Sequence, residues 1–346
     1  MIDDDAGSEE ALSLGSDQGR KKHSIDTIKT VSLRLLIWTL GLALVIALGL
    51  YGLAVTTGRS GAVGLTVLFA IPIIVGALGA YVSEINRANT AYRTAASIGV
   101  AVFVLGVIIL REAVICIIML APIWLPLLFI GAFFVRVLFN QDTRRRKLYS
   151  VNFLALPFLT LIIDANVAMP IEGRTITREV VVNAPIDVVW NHLHDIDNIE
   201  ADDGRWNITQ DVLGMPRPVK AETVHATPRS IRTNYWSKGI WFEEHITEAA
   251  PNERLHWEFV YPDDSLRHKT DPHLDPRSHY FHIDTGGFDL ESLDGETTVL
   301  KLRTNYIMQT PVNGYSALWG EFFLGDIQNN VLATVKSRSE SSLESK

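Results

Sequence analysis

Glu243 and His245 stand two residues apart in the run Ile240-Trp241-Phe242-Glu243-Glu244-His245-Ile246. The run has the composition of a β-strand, where alternate residues share a face. A carboxylate and an imidazole therefore project on one side, beside Trp241. A positioned carboxylate and imidazole next to an aromatic ring are equipment for general acid/base work on a ring substrate. The opposite face, with Ile240, Phe242 and Ile246, is the more apolar one. If that face is the enclosed one, Glu243 and His245 are solvated and do no chemistry. Both readings stand at the level of sequence.

The other reactive side chains fit plainer roles. His268, His273, His279 and His282 run close to Asp271, Asp275 and Asp284. Their spacing matches no zinc pattern and no cysteine joins them. Asp271-Pro272 and Asp275-Pro276 mark a Pro-rich acidic loop, so a solvated loop is expected, with no metal and no cofactor. His192 and His194, two apart on a helix, point to different sides. Cys116 is the single cysteine and lies in an apolar run. No intramolecular disulfide is possible, and the setting disfavours a thiolate. Arg111 and Glu112 are the only charges between residues 95 and 135. Charges inside a membrane span are costly, and these two are expected to mark a turn between spans.

The elements that position these groups divide the chain in two. Residues 1–170 hold 14 Lys+Arg and 11 Asp+Glu, while residues 171–346 hold 17 and 28. An acidic second half argues against a nucleic-acid partner, since phosphate binding needs clustered Lys and Arg. The first half carries the long apolar runs. A bilayer core needs ~20 apolar residues per helix. Spans are expected at about 31–55, 61–82 and 95–110, at 122–139 after a short segment Glu112–Ala121, and in a fifth, shorter stretch at 149–165 that ends near Asp164. Residues 1–30 and 339–346 read as disordered tails, the first cytoplasmic, because they offer too little apolar surface to offset the entropy of ordering. No secretory signal peptide is evident.

Basic residues beside the spans set an orientation. Arg20-Lys21-Lys22 and Lys29, then Arg87 and Arg93, then Arg144-Arg145-Arg146-Lys147 all fall on one side, and Arg59 alone on the other. This places the N-terminus in the cytoplasm. A fifth crossing then puts the second half outside the cytoplasmic membrane; without that crossing it stays inside.

The second half reads as α+β. Thr175–Val182 is β-branched and closes on Asn183-Ala184-Pro185, a strand end followed by a helix start. Apolar residues at 186, 189, 190 and 193 have helical spacing. Strand patterns follow at Pro218–His225, Ser230–Ser237, Ile240–Glu248, Glu253–Tyr261, Tyr280–Leu293 and Thr297–Gln309. Asp294-Gly295 marks the last hairpin. A long helix, Val312–Ser337, ends the pattern, with Tyr315, Leu318, Trp319, Phe322, Phe323, Ile327, Val331 and Val335 as its apolar stripe.

This order, opening on Val180-Val181-Val182-Asn183-Ala184-Pro185-Ile186-Asp187-Val188-Val189-Trp190, resembles the START-like (SRPBCC, polyketide cyclase-like) superfamily over about residues 174–338. The resemblance extends to bacterial multi-span membrane proteins ending in such a domain. It is carried there by Glu112, Ile115-Cys116, Met119 and Pro122, then by His273-Leu274-Asp275, Gly287-Phe288, Thr304-Asn305-Tyr306 and Trp319. It implies a membrane α-helical N-terminal half followed, at 171–338, by a helix-grip domain, a curled antiparallel sheet around a long C-terminal helix. It also implies a cavity between the two that binds a lipid or other apolar small molecule. Ligand pockets are apolar with few polar groups, so Trp241, Tyr306, Trp319 and Phe322 are the expected lining residues. Tyr306 and Trp319 are expected to face each other across the cavity. Membrane lipids are the other expected partner. The alternatives are a cyclase or aromatase using Glu243 and His245, or a structural or sensing membrane protein.

Overall fold

The computed structural model describes residues 45, 49, 64–85, 90–105, 108, 114–139, 159–160, 162–164, 166–200, 203–263, 265–269, 277–278 and 280–344. The chain divides into two compact units, one holding Leu65–Ile109 and Leu120–Ala165, the other Ala62–Gly64, Leu110–Met119 and Asn166–Lys346, so the first turns of the third helix below fall to the second unit.

In the first unit a wide π-type turn, Thr66–Ala70, runs into helix α1, Ile71–Ile85. Helix α2 is Ala91–Leu105 and α3 is Val114–Phe139. Two stretches, Thr66–Ser83 of 18 residues and Ile115–Val137 of 23, are long and apolar enough to cross a membrane, and Ala91–Leu105 is apolar but shorter. Helix α3 corrects the expected break at Ala121/Pro122. It runs unbroken through Pro122 and Pro126. Each proline removes one helical hydrogen bond, a loss an apolar helix tolerates when neighbours re-satisfy the freed carbonyl. Glycines bring α1 and α3 together: a methyl group at Gly76 would fall 2.0 Å from the Leu128 carbonyl oxygen, and one at Gly131 would fall 2.0 Å from that of Ile73. With no side chain between them, the two backbones approach closely.

Asp164 ends the fifth apolar stretch and finds a use. Its carboxylate accepts from the Leu65 and Thr66 N–H groups at 2.8 and 2.9 Å, and the Thr66 hydroxyl lies 2.8 Å away. It thus satisfies orphan donors at the start of the helical run and opposes the positive end of the helix dipole. Arg111, Glu112, the basic clusters at 20–22, 29 and 144–147, and nearly all of 31–55 lie outside the described residues, as does much of 149–165.

The second unit holds seven strands: β1 Ile171–Val182, β2 Pro218–Val224, β3 Ile231–Trp236, β4 Ile240–Ala250, β5 Arg254–Val260, β6 Phe281–Ser292 and β7 Thr298–Gln309. Helix α4, Ile186–Asn191, follows β1, α5, Ser265–Lys269, follows β5, and α6, Asn313–Glu344, follows β7. The strands form one antiparallel sheet in the order β1-β7-β6-β5-β4-β3-β2. First and last strands are neighbours, with Ile171 opposite Gln309 and Val182 opposite Thr298. Gly295 adopts φ 88° in the β6–β7 turn, the left-handed region glycine favours. The Asp294 carboxylate accepts there from the Glu296 and Thr297 N–H groups.

The long helix lies on one face of this sheet. Its Leu332 and Val335 join Val182, Leu255, Trp257, Phe288, Leu300 and Leu302 in the core. Gln328 Nε2 donates to the Ile176 carbonyl at 3.1 Å and to Thr304 Oγ1 at 2.8 Å. The helix-grip arrangement is therefore present. Two expectations change. Helix α6 continues to Glu344, so 339–344 is not a tail: Ser339 is buried, and the Glu340 carboxylate accepts from the Asn183 N–H at 2.8 Å. The apolar residues of α6 also do not form one face, since Val331 and Val335 meet the sheet core while Leu318 and Phe322 are exposed.

Candidate functional site

The pleat of β4 decides which side chains meet the helix. Ile240, Phe242, Glu244 and Ile246 are buried, and Ile246 shares its cluster with α6. Trp241, Glu243 and His245 consequently lie on the outer face. This corrects the expectation that Trp241 lines the space beneath the helix, and it sets Glu243 and His245 away from that space. On the outer face His245 Nε2 lies 2.8 Å from Glu243 Oε2, both half-buried. Trp241 Nε1 donates to Asp263 Oδ2 at 2.7 Å. Hydrogen bonds from the Ser265 hydroxyl, opposed in part by burial and joined by those of the Ser265 N–H and Trp241, hold the Asp263 carboxyl below its usual range.

The outer face carries a second charged group. His256 Nε2 lies 3.0 Å from Asp289 Oδ1, and Arg303 pairs with the other oxygen. Burial pushes the Asp289 carboxyl up, but the hydrogen bonds from His256 and Arg303 outweigh it, and the net shift is downward. His256 lies against the backbone at Gly287, where a methyl group would fall 2.3 Å from its ring.

The inner face holds a charged pair that sequence reasoning missed. Arg232 Nε donates to Glu244 Oε2 at 2.5 Å, and both side chains are only 6% exposed. A second guanidinium N–H donates to the Leu193 carbonyl. The guanidinium carbon sits 4.6 Å from the Trp257 ring centroid and 5.7 Å from that of Phe288, within cation–π range. The signal for Glu244 was already in the sequence, because strand alternation puts it with Ile240, Phe242 and Ile246. Arg232 follows as its cross-strand partner.

Further along the same face the rings of β3, β4 and β5 gather. Phe242 lies 5.7 Å from Trp236, 5.9 Å from Phe259 and 6.0 Å from Tyr261, while Phe259 and Tyr261 stack. The backbone of α6 runs close to β1 and β7, the far side of the sheet order from these rings. Two buried donors on this face, Asn234 Nδ2 and Trp257 Nε1, have no hydrogen-bond partner among the described residues.

Of the expected lining residues, Tyr306 alone lies wholly on the inner face. It is buried, and burial raises its hydroxyl pKa. Its ring lies 5.5 Å from Phe281, and a methyl group at Gly320 would fall 2.6 Å from its hydroxyl. Trp319 does not pair with it. The Trp319 ring stacks on Phe323 at 5.5 Å and lies edge-on to Tyr315 and Phe322. Its buried Nε1 also has no partner among the described residues. Phe322 is turned outward, on the ridge Leu318, Phe322, Asp326 and Asn330 formed by residues four apart. Side chains of His268, His273 and His279, with Asp271 and Asp275, lie outside the described residues.

No protein-family profile matches the sequence, and no curated protein matches it. Solved structures similar to it include the Zhui aromatase/cyclase from Streptomyces sp. R1128, 16% identical, covering 50% of this chain and 96% of that one, TM-score 0.32. Truncated norcoclaurine synthase from Thalictrum flavum is 15% identical over 51% of this chain and 97% of its own, TM-score 0.32. The di-domain aromatase/cyclase BexL of the BE-7585A biosynthetic pathway is 13% identical over 57% and 59%, TM-score 0.31. At these values the fold assignment rests on strand order and helix placement in the chain itself.

Proposed function

We propose that the chain is a membrane-anchored helix-grip protein whose second unit binds a lipid or another apolar small molecule between the sheet and α6. One observation carries this reading: the inner face of β3–β5 presents Trp236, Phe242, Phe259 and Tyr261 together with the unpartnered donors of Asn234 and Trp257. Bulky rings with a few polar groups are the usual lining of a small-molecule site. The two unpaired donors suit a ligand with a hydrogen-bond acceptor at one end. Anchoring draws support from the two apolar helical stretches. The basic-residue asymmetry supports a multi-pass protein of the cytoplasmic membrane with the N-terminus cytoplasmic, and a fifth crossing at 149–165 makes the second unit extracytoplasmic.

The enzymatic alternative, with Glu243 and His245 as acid and base, requires a substrate on the outer face. The inner carboxylate, Glu244, is held by Arg232 and is poorly placed to act as a base. Binding is therefore the preferred reading.

The test is extraction of the purified full chain and mass spectrometry of what it retains. The expected result is an apolar molecule near one per chain, lost in Phe242→Arg and reduced in Asn234→Ala. An empty protein that also takes up no added phospholipid or fatty acid rejects the reading. Alkaline phosphatase fused after residue 346 should be active for an extracytoplasmic second unit and inactive for a cytoplasmic one.

A further inference from the structure

The outward ridge of α6 does not end at Phe322. Asp326 and Asn330 continue it, and both are gripped by the segment 203–212. Asp326 Oδ2 accepts from the Thr209 N–H at 3.1 Å and from its hydroxyl at 2.9 Å. Asn330 Oδ1 accepts from the Arg205 N–H at 2.7 Å. The segment thus extends the ridge with its own side chains. On this segment Trp206 is 67% exposed, Ile208 42% and Val212 63%, and on the preceding turns of the α6 ridge Leu318 is 67% exposed and Phe322 37%. Single exposed apolar residues are ordinary, but a contiguous group marks an interaction surface.

The charges around this group identify its partner. The acids at its border are already engaged: Asp211 with Arg217 at 2.6 Å, Glu321 with Arg178 at 2.7 Å, and Asp326 with Thr209. Arg205, next to Trp206, is exposed and pairs with no carboxylate among the described residues. An apolar ridge containing tryptophan and edged by this exposed arginine suits the headgroup zone of a bilayer, where indole rings settle and guanidinium groups reach phosphate.

We propose that this ridge rests on a phospholipid surface, with Trp206, Ile208, Val212, Leu318 and Phe322 in the headgroup–acyl boundary and Arg205 at the phosphates. The proposal rests on the membrane anchoring proposed above, which keeps a bilayer within reach of the second unit.

The test uses the full chain in nanodiscs of phosphatidylcholine and phosphatidylglycerol. In a Cys116→Ser background, single cysteines replace Trp206, Val212, Leu318 or, as a control in the β6–β7 turn, Glu296, and each carries a nitrobenzoxadiazole fluorophore. For a face buried ~5–10 Å into the boundary, emission at the three ridge positions should be blue-shifted and quenched about two-fold by doxyl lipid, while Glu296 stays unquenched. Water-like emission at the ridge in a chain that resists alkaline carbonate extraction overturns the ridge proposal and leaves anchoring intact. A blue shift without lipid quenching means that protein covers the ridge, which also overturns it. Release of the chain by carbonate rejects anchoring, and the ridge proposal falls with it.

Discussion

Glu243 and Glu244 are adjacent in sequence and belong to different worlds. Glu244 is enclosed with Arg232 on the inner face, against Trp257 and Phe288, whereas Glu243 meets His245 on the solvent-facing side of the same strand. The inner pair is stripped of water, so its stability depends on both partners being present. The outer pairs of Glu243 and Asp289 keep enough solvent for screening to weaken them. The contrast separates groups that hold the domain in one shape from groups that tune its surface.

Breaking the inner pair should have the largest effect. Arg232→Ala or Glu244→Ala leaves a buried charge without its partner and should destabilise the folded state by about 3–5 kcal/mol, while Arg232→Met with Glu244→Leu should recover most of the loss. Urea denaturation of the full chain in detergent, followed by tryptophan fluorescence, reads both. Equal losses in the single and double variants would refute a charge-pair origin.

The packing of α6 against β7 comes next. Gly320→Ala should destabilise by about 1–3 kcal/mol through overpacking on the Tyr306 hydroxyl. Tyr306→Phe removes the nearest obstructing atom and leaves the ring carbon at 3.0 Å, so the double variant should recover part of the loss. A double variant no more stable than Gly320→Ala alone would show that the strain lies elsewhere.

Disrupting the outer pair should matter least. Glu243→Gln and His245→Ala should each change stability by less than about 1 kcal/mol and leave retained apolar molecules unaltered. Loss of the retained molecule in either variant would move the site to the outer face and favour the enzymatic reading.

A pH series sharpens the comparison from a third direction. Burial, then Arg338, lowers the His192 pKa from 6.5; burial, then Arg232 and His225, lowers that of His194, against the pull of Asp195. Above pH 6.5 these groups are neutral folded or unfolded, and their stability is fully present. As the pH falls below 6.5 the unfolded chain takes up protons that the folded chain resists, so stability declines until the folded pKa values are passed. The urea midpoint should therefore drop between pH 7.5 and 5.5, and His192→Gln with His194→Gln should flatten the drop. An unchanged slope would assign it to other groups.

Much of the second unit is legible from alternation and turn residues. Strands β2 to β7 fall within two residues of their expected limits because Pro, Gly and Asn-Glu turns bound them. The exceptions are tertiary. Ile171–Arg174 carries no strong strand signal and becomes strand by pairing with Tyr306–Gln309. The polar end of α6 is ordered through Arg338, which bonds the Asn198 carbonyl and Asp203, contacts no local pattern encodes. At the site, the period of β4 supplied both possible faces, and only assembly of the sheet could choose between them. Phe322 was misplaced because a stripe of apolar residues on a long helix need not serve a single surface. The reversal expected at Arg111 and Glu112 follows from helix length and from the two charges and lies outside the described residues; the helix expected to begin at Pro122 begins at Val114 instead, because an apolar helix accommodates proline.

The pairing of β1 with β7 also bears on the order of events during synthesis. The strand that leaves the ribosome first in this unit has its partner among the last, and α6 follows later still. Until residues 298–344 emerge, β1 and the inner rings have nothing to close against, and contacts this distant in sequence form slowly. The sheet can therefore close at this edge only after the last of its strands has been made.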